Sequence, residues 1–245
     1  MVTPLHSALL FDFSSNWQRW VRSVLSRQVL AGALLITLTW VWAGADFDKL
    51  FKLAQQRYGA QGVQTVHDWE RLIQENTSHS DSEKLRRVNE FFNRRISYAE
   101  DSALWGQPDY WATPLESMGR GAGDCEDYVI AKFATLRLLQ IAPEKLRLTY
   151  VRAKIGGAYS TVQQAHMVLS YYATPDAEPL ILDSLISEIR PASRRPDLLP
   201  VFGFNAEGLW VTGSANPNPN PVASSTARLS RWRDVLSRMQ QEGIE

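Results

Sequence analysis

The spacing of apolar and polar positions divides the chain into a helical first half and a strand-rich second half. From residue 46 to 100 apolar residues recur at helical spacing. Phe47, Leu50, Phe51, Leu53 and Ala54 form one cluster, and Val66, Trp69, Leu72 and Ile73 a second. Ser80-Asp81-Ser82-Glu83 reads as a helix entry ahead of Leu85, Val88, Phe91 and Phe92. Residues 101 to 118 read as loop, with Gly106-Gln107-Pro108-Asp109 and Thr113-Pro114 as turn signals. Another helix follows, carrying Val129, Ile130, Phe133, Leu136 and Leu139 and ending near Ile141-Ala142-Pro143.

Beyond that point the period shortens to two. Leu146 to Lys154 alternates as a strand, and Gly156-Gly157 makes a turn. His166 to Tyr172 and Leu180 to Asp183 read as two more strands. The connection from Ala173 to Pro179, with Thr174-Pro175-Asp176, suits an antiparallel hairpin. Phe202 to Asn205 and Leu209 to Val211 suggest one further hairpin. Asn216-Pro217-Asn218-Pro219-Asn220-Pro221 is a linker too poor in core formers to fold alone. Arg228 to Gln241 predicts an amphipathic helix with Leu229, Trp232, Val235, Leu236 and Met239 on one side. Docking on the domain is the expected use of that face.

The first 45 residues are set apart by composition. Gln28 to Ala45 carries no charge, Arg19, Arg22 and Arg27 precede it, and Ala43-Gly44-Ala45 has the small-x-small form of a signal-peptidase site. The segment reads either as a cleaved signal or as an uncleaved anchor, since about 18 uncharged residues just span a bilayer. The basic flank keeps the amino end in the cytoplasm, so both readings export residue 46 onward. The expected division is therefore a leader over 1–45, a folded domain over 46–215, and a linker with a terminal helix over 216–245. The charges balance at 26 basic and 26 acidic, so the basic excess of a nucleic-acid binder is missing.

Cys125 is the one cysteine of the 245 residues. An exported chain with a single thiol cannot use an internal disulfide, which adds weight to a chemical role. It lies in Gly121-Ala122-Gly123-Asp124-Cys125-Glu126-Asp127-Tyr128, where the glycines break regular structure and Asp124 is a good helix N-cap. That places the thiol in a first helical turn, where free N–H groups and the helix dipole favour a thiolate. A lone thiol is more often a buried inert one, but this polar, glycine-rich setting speaks against that.

A cysteine nucleophile needs a base and the base an orienter. Of the four histidines, His6 precedes the apolar segment, and His67 and His79 lie in polar surroundings typical of a surface. His166 begins a strand. With the hairpin turn centred between Pro175 and Asp176, Asp183 falls opposite Val168. It is then the diagonal neighbour of His166 on the same face, roughly 7 Å away between backbones. A carboxylate there is expected to accept the Nδ1–H of the imidazole and leave the other nitrogen for the thiol. Taken singly, His166 could be an ordinary strand histidine and Asp183 a strand end. Together with Cys125 they make coincidence the weaker account.

On these residues the chain resembles a known family, the bacterial transglutaminase-like cysteine proteinases. The resemblance spans about residues 46 to 212. It rests on Asp109-Tyr110-Trp111-Ala112-Thr113-Pro114, Gly123-Asp124-Cys125-Glu126-Asp127-Tyr128, Gln164-Ala165-His166-Met167-Val168 and Leu182-Asp183. It implies an α+β fold of papain-like or transglutaminase-like form, with a helical N-terminal lobe and an antiparallel-sheet C-terminal lobe. It also implies Cys125 as nucleophile, His166 as base and then acid, and Asp183 as orienter. The implied activity is that of a periplasmic endopeptidase that cuts the N-terminal region of a large repeat-containing surface adhesin near paired alanines. Cleavage frees the adhesin and disperses biofilm. The implied partner is an inner-membrane cyclic-di-GMP receptor that sequesters the enzyme. Two rivals stand beside it: an acyl transferase that uses the same residues but passes the thioester to an amine, and a non-enzymatic module in which calcium organises a binding surface and the thiol is vestigial.

Asp124, Glu126 and Asp127 surround the thiol with potential negative charge, which by itself opposes a thiolate. These acids either complement the positive end of the helix or form a Ca²⁺ site that reverses the penalty, and the residues alone leave the two readings even. The resemblance implies calcium, with Asp124 and Asp127 as preferred ligands and Glu126 as a third. The backbone N–H of Cys125 is a natural oxyanion donor at a helix start. A second donor from Trp105 or Trp111 competes with simple burial of either indole.

Overall fold

The structure is a computed structural model that describes residues 44–156, 159–205, 208–211 and 230–245. The apolar leader segment up to residue 43 and the Asn-Pro linker lie outside the described residues. Among the described residues no helix is long and apolar enough to cross a membrane.

Helix α1 (Phe47–Asn76) starts at Asp46, whose carboxylate accepts the Lys49 N–H at 3.0 Å, and is kinked at Gly59, where φ is 66°. It buries Leu50, Ala54, Val66 and Trp69. Helix α2 (Asp81–Arg95) begins at the expected entry, with Ser80 Oγ accepting the Glu83 N–H. The segment expected to be loop holds two short helices instead, α3 (Asp101–Leu104) and α4 (Pro114–Arg120). Thr113-Pro114-Leu115-Glu116 is a reciprocal capping box with proline in the first turn, where its missing N–H costs nothing. Reading Pro114 as a turn signal concealed that start.

Two two-residue strands, β1 (Ser97–Tyr98) and β2 (Ala122–Gly123), pair in parallel and lead into α5 (Cys125–Leu138). Nearly every residue of α5 from Asp127 to Leu138 is buried, as befits a helix enclosed on all sides. It stops three residues earlier than expected. Gln140 takes a left-handed conformation with φ 67°, and the Ile141 N–H closes the end on the Leu136 carbonyl at 2.9 Å.

The remaining strands form one antiparallel six-stranded sheet in the order β6-β5-β4-β3-β7-β8. They are β3 (Leu146–Lys154), β4 (Gln163–Tyr171), β5 (Leu180–Leu182), β6 (Arg190–Pro191), β7 (Leu198–Phe204) and β8 (Leu209–Val211). Strand β4 pairs with β5 in the expected register, Leu169 opposite Leu182. One face carries Leu146, Leu148, Met167, Leu169, Leu182 and Phe204 into the main core with α5. The other carries Val151, Ala153, Val168 and Ile181 into a smaller cluster. The terminal helix α6 (Ser230–Glu242) is docked. Trp232 meets Phe133 and Phe204 edge-on at 5.4 and 5.7 Å between ring centroids. Arg238 donates to Glu116 and to the Trp111 carbonyl. The architecture is α+β, as the resemblance implied.

Candidate active site

Cys125 opens α5, held in place by what precedes it. Gly121 ends α4 with φ 63°, a conformation that favours glycine. At Gly123 a Cβ would come within 2.6 Å of an Asp127 carboxylate oxygen, so only glycine fits there. The β1–β2 pair then fixes this loop against the end of α2.

The sulfur donates to Glu126 Oε2 at 2.6 Å and faces the backbone N–H of Met167. Burial pushes the thiol pKa well above its usual range, and the negative charge of Glu126 and then Asp124 pushes it further. The Met167 N–H opposes them. The helix start therefore does not by itself yield the expected thiolate, because burial and the neighbouring carboxylates outweigh the dipole.

His166 and Asp183 meet. Nε2 of the imidazole lies 2.7 Å from Asp183 Oδ1, and both side chains are buried. The expectation that Nδ1 would take the carboxylate is corrected. A carboxylate on the diagonal neighbour is reached by the far end of the ring, and the far nitrogen is Nε2. The ionised carboxylate can only accept, so Nε2 carries the hydrogen and Nδ1 keeps a lone pair. Nδ1 is the nitrogen nearer the β4 main chain, where the sulfur sits against the next residue's N–H.

Asp183 is gripped from every side. Its Oδ1 also accepts the Leu185 N–H at 3.0 Å, and its Oδ2 takes Nη2 of buried Arg195 at 2.7 Å. Its main-chain carbonyl accepts Asn93 Nδ2 at 2.9 Å and Lys132 Nζ at 3.1 Å. Burial raises the Asp183 pKa, but the hydrogen bond and charge of His166, the Leu185 N–H and Arg195 outweigh it and hold the pKa at about 2. Burial drives that of fully enclosed Lys132 down to about 7, against the pull of Asp183. Sequence reasoning missed all three supporting side chains. Lys132 had a signal: it is the one charged residue between Tyr128 and Leu136, two turns after Cys125. Arg195, in Arg194-Arg195-Pro196-Asp197, looks like any charged surface loop.

The acids divide into two groups. Carboxylate oxygens of Asp101, Asp124 and Asp127 lie within 4.8 Å of one another, while Glu126 groups with Asp124 and the sulfur. Asp101, at the start of α3, is a member that sequence reasoning did not find. Asp127 Oδ1 accepts the Ala112 N–H at 2.7 Å, and Asp101 Oδ2 accepts the Tyr110 N–H at 2.5 Å. Asp101 Oδ1 and Asp124 Oδ1 are buried without a partner. Burial, then the repulsion of Glu126, Asp127 and Asp101, lifts the Asp124 pKa to about 9. Burial lifts that of Asp127 to about 8, with the charge of Asp101 adding to it and the Ala112 N–H opposing, and burial also raises that of Asp101. Three crowded carboxylates with inward oxygens unbonded are a donor set suited to a hard divalent cation. The indole N–H groups of Trp105 and Trp111 have no partner either. Trp111 is packed on Phe204, and Trp105 lies over Tyr110. His67 and His79 are exposed, as expected.

The chain as a whole is similar to known proteins. A family model described as bacterial transglutaminase-like cysteine proteinase matches residues 60–197. LapG of Legionella pneumophila is 39% identical with a TM-score of 0.66, covering 80% of this chain and 99% of its own. The same protein in an EGTA-treated form is 40% identical with a TM-score of 0.67, over 80% of this chain and 99% of its own. Its calcium-bound form is 40% identical with a TM-score of 0.66, over 79% and 98%. No curated protein sequence matches the chain.

Proposed function

This chain belongs to the bacterial transglutaminase-like cysteine proteinases, and from that premise we propose that Cys125, His166 and Asp183 are the catalytic triad of a calcium-dependent endopeptidase. The observation that carries the reading is the buried His166 imidazole held by Asp183 across 2.7 Å, on the strand whose next residue, Met167, turns its N–H towards the Cys125 sulfur. His166 Nδ1 takes the thiol proton as the sulfur attacks a peptide carbonyl, and returns it to the leaving amine. The same nitrogen then accepts a proton from the water that hydrolyses the thioester. Asp183 stays ionised and stabilises the imidazolium through Nε2. The Cys125 N–H is the natural oxyanion donor.

Asp101, Asp124 and Asp127 are the residues that fit a calcium ion, with Glu126 adjacent. Bound there, calcium offsets the negative charge that opposes the Cys125 thiolate. The calcium-bound structure of Legionella pneumophila LapG supports this reading. The substrate is the N-terminal region of a large repeat adhesin, cut near paired alanines, whose release disperses biofilm. The chain is exported to the periplasm by residues 1–45, either as a cleaved signal or as an anchor. An inner-membrane cyclic-di-GMP receptor of the LapD type sequesters it. What supports the substrate, location and receptor is the resemblance alone.

The deciding experiment incubates the purified protein with an adhesin N-terminal segment containing an alanine pair, in calcium or in EGTA, beside Cys125→Ala. Cleavage is expected only with both calcium and Cys125. Cleavage by Cys125→Ala would end the triad assignment. Incorporation of a labelled amine without cleavage would move the reaction to acyl transfer.

A further inference from the structure

One fully buried basic group has no part in the proposed chemistry. Lys132 is 0% exposed and stands on α5 seven residues after Cys125, two turns further along the same face. Its helix neighbours Val129, Ala131, Phe133 and Leu136 all lie in the apolar core. Nζ donates to the Asp183 main-chain carbonyl at 3.1 Å, and the Tyr128 ring lies 5.6 Å away. One carbonyl and one ring face return only part of the cost of taking an ammonium out of water. The fall of the Lys132 pKa to about 7 has that cost as its cause, with the charge of Asp183 opposing it.

Satisfying the backbone does not explain the lysine. The Asp183 carbonyl already accepts Asn93 Nδ2 at 2.9 Å, so it keeps a partner without Lys132. Asn93 stands on α2, as does Asn89, whose Nδ2 holds the Ser187 carbonyl at 2.8 Å. Within the turn between those two carbonyls, the Leu185 N–H bonds Asp183 Oδ1, the oxygen that also meets His166 Nε2. Arg195 takes Oδ2. Of all the donors that converge on Asp183, Lys132 alone comes from the helix that carries the sulfur.

We propose that Lys132 is a positioning residue that sets the placement of the Cys125 sulfur relative to the His166–Asp183 pair. Helix α5 holds the nucleophile in its first turn and grips the orienter about 10 Å further along. Both halves of the triad are thus referenced to one rigid element. Asn93 ties the same carbonyl to α2, and Arg195 ties the carboxylate to the loop before β7, and neither element bears the thiol. The proposal rests on the protease reading of Cys125.

The test compares wild-type protein with Lys132→Met, which keeps the length of the side chain and removes the charge. With an adhesin N-terminal segment containing an alanine pair, in calcium, kcat should fall at least tenfold with KM within twofold. The urea midpoint should stay or rise, since the burial cost is gone and no buried acceptor is left bare. A readout without substrate is the proton NMR signal of the His166 Nε2–H, which should shift or broaden in Lys132→Met at pH 6. Asn93→Ala removes a donor to the same carbonyl from the other helix and should lower kcat less. Wild-type kcat in Lys132→Met overturns the proposal. So does a loss of kcat that follows a lowered urea midpoint while the His166 signal stays in place, and so does a variant that fails to fold, because the lysine then serves stability. An equal or greater loss in Asn93→Ala overturns the role of α5. If wild-type protein leaves the segment uncut, the protease reading fails, and the His166 signal alone decides whether Lys132 fixes the pair.

Discussion

Arg195 Nη2 lies 2.7 Å from Asp183 Oδ2, on the carboxylate whose other oxygen holds His166. Both members of this pair are almost wholly enclosed. Arg195 also binds Asp197 at 2.8 Å, so it braces the carboxylate against the loop that precedes β7. Removing one partner of a buried ion pair leaves a charge without compensation and costs about 3–5 kcal/mol. Arg195→Met should therefore lower stability by about that amount in urea unfolding. It should also move the acid limb of kcat/KM upward in pH, because Asp183 loses a group that holds its pKa down. Arg195→Lys should restore part of both. An unshifted acid limb in a folded Arg195→Met protein would reduce Arg195 to a packing role.

The Asp183 pKa also predicts behaviour in acid. Its folded value, about 2, lies below the ordinary unfolded value of about 3.9. The stability that it lends is thus complete above about pH 4 and is lost as the pH falls towards 2. Acid titration of wild-type and Arg195→Met protein followed by circular dichroism should show the variant unfolding at the higher pH. Coincident curves would contradict the shift.

The crowded aspartates have the opposite sign. The pKa values of Asp124 and Asp127, about 9 and 8 in the fold, stand above their unfolded values. Without a cation, stability present below about pH 4 should be lost progressively as the pH rises through 8 to 9. Calcium at a hundredfold excess over its dissociation constant adds about 2.7 kcal/mol. At about 2–4 °C per kcal/mol for a domain of this size, that raises Tm by roughly 5–11 °C. Scanning calorimetry in EGTA and in calcium across pH 5 to 9 tests both statements. In Asp101→Asn the calcium needed for half the Tm rise should increase at least tenfold. A Tm indifferent to calcium at every pH would remove the cation from these carboxylates.

Glu126 accepts the thiol hydrogen across 2.6 Å, and its charge is the largest electrostatic obstacle to the thiolate after burial. In calcium-free protein, Glu126→Gln should lower the thiol pKa and speed iodoacetamide labelling of Cys125 at pH 8. Slower labelling would show that the carboxylate activates the sulfur and does not restrain it.

Gln140 closes α5 in the left-handed region with φ 67°, exposed to solvent. Glycine adopts this conformation without the Cβ penalty. Gln140→Gly should stabilise the fold by about 0.5–1 kcal/mol in urea unfolding with activity unchanged. A destabilised variant would mean that the Gln140 side chain contributes more than its backbone costs.

How far the site could be read in advance depended on the kind of information each part required. Strand pairing is a matter of counting, so a turn centred between Pro175 and Asp176 sufficed to set Leu169 opposite Leu182 and to bring Asp183 towards His166. Counting locates backbones and not ring atoms, which is why the imidazole nitrogen was assigned the wrong way round. Asp101 joins Asp124 only because β1 and β2 pair in parallel, a two-residue contact too short to leave a hydrophobic pattern. Arg195 reaches Asp183 through the turn after β6, where polarity in the sequence says exposure and the fold says burial. The capping box at Thr113 was legible from its spacing, but a proline at the first helical position resembles one at a turn.

Helix α6 ends the chain, yet Arg238 donates to the Trp111 carbonyl, and the next residue's N–H, from Ala112, holds Asp127. Linkage between connected groups is reciprocal. Whatever grip the last helix lends to that carboxylate returns to it when the carboxylate is engaged, so occupancy at the metal cradle should register as slower amide exchange at the carboxy terminus, far along the sequence from any ligand.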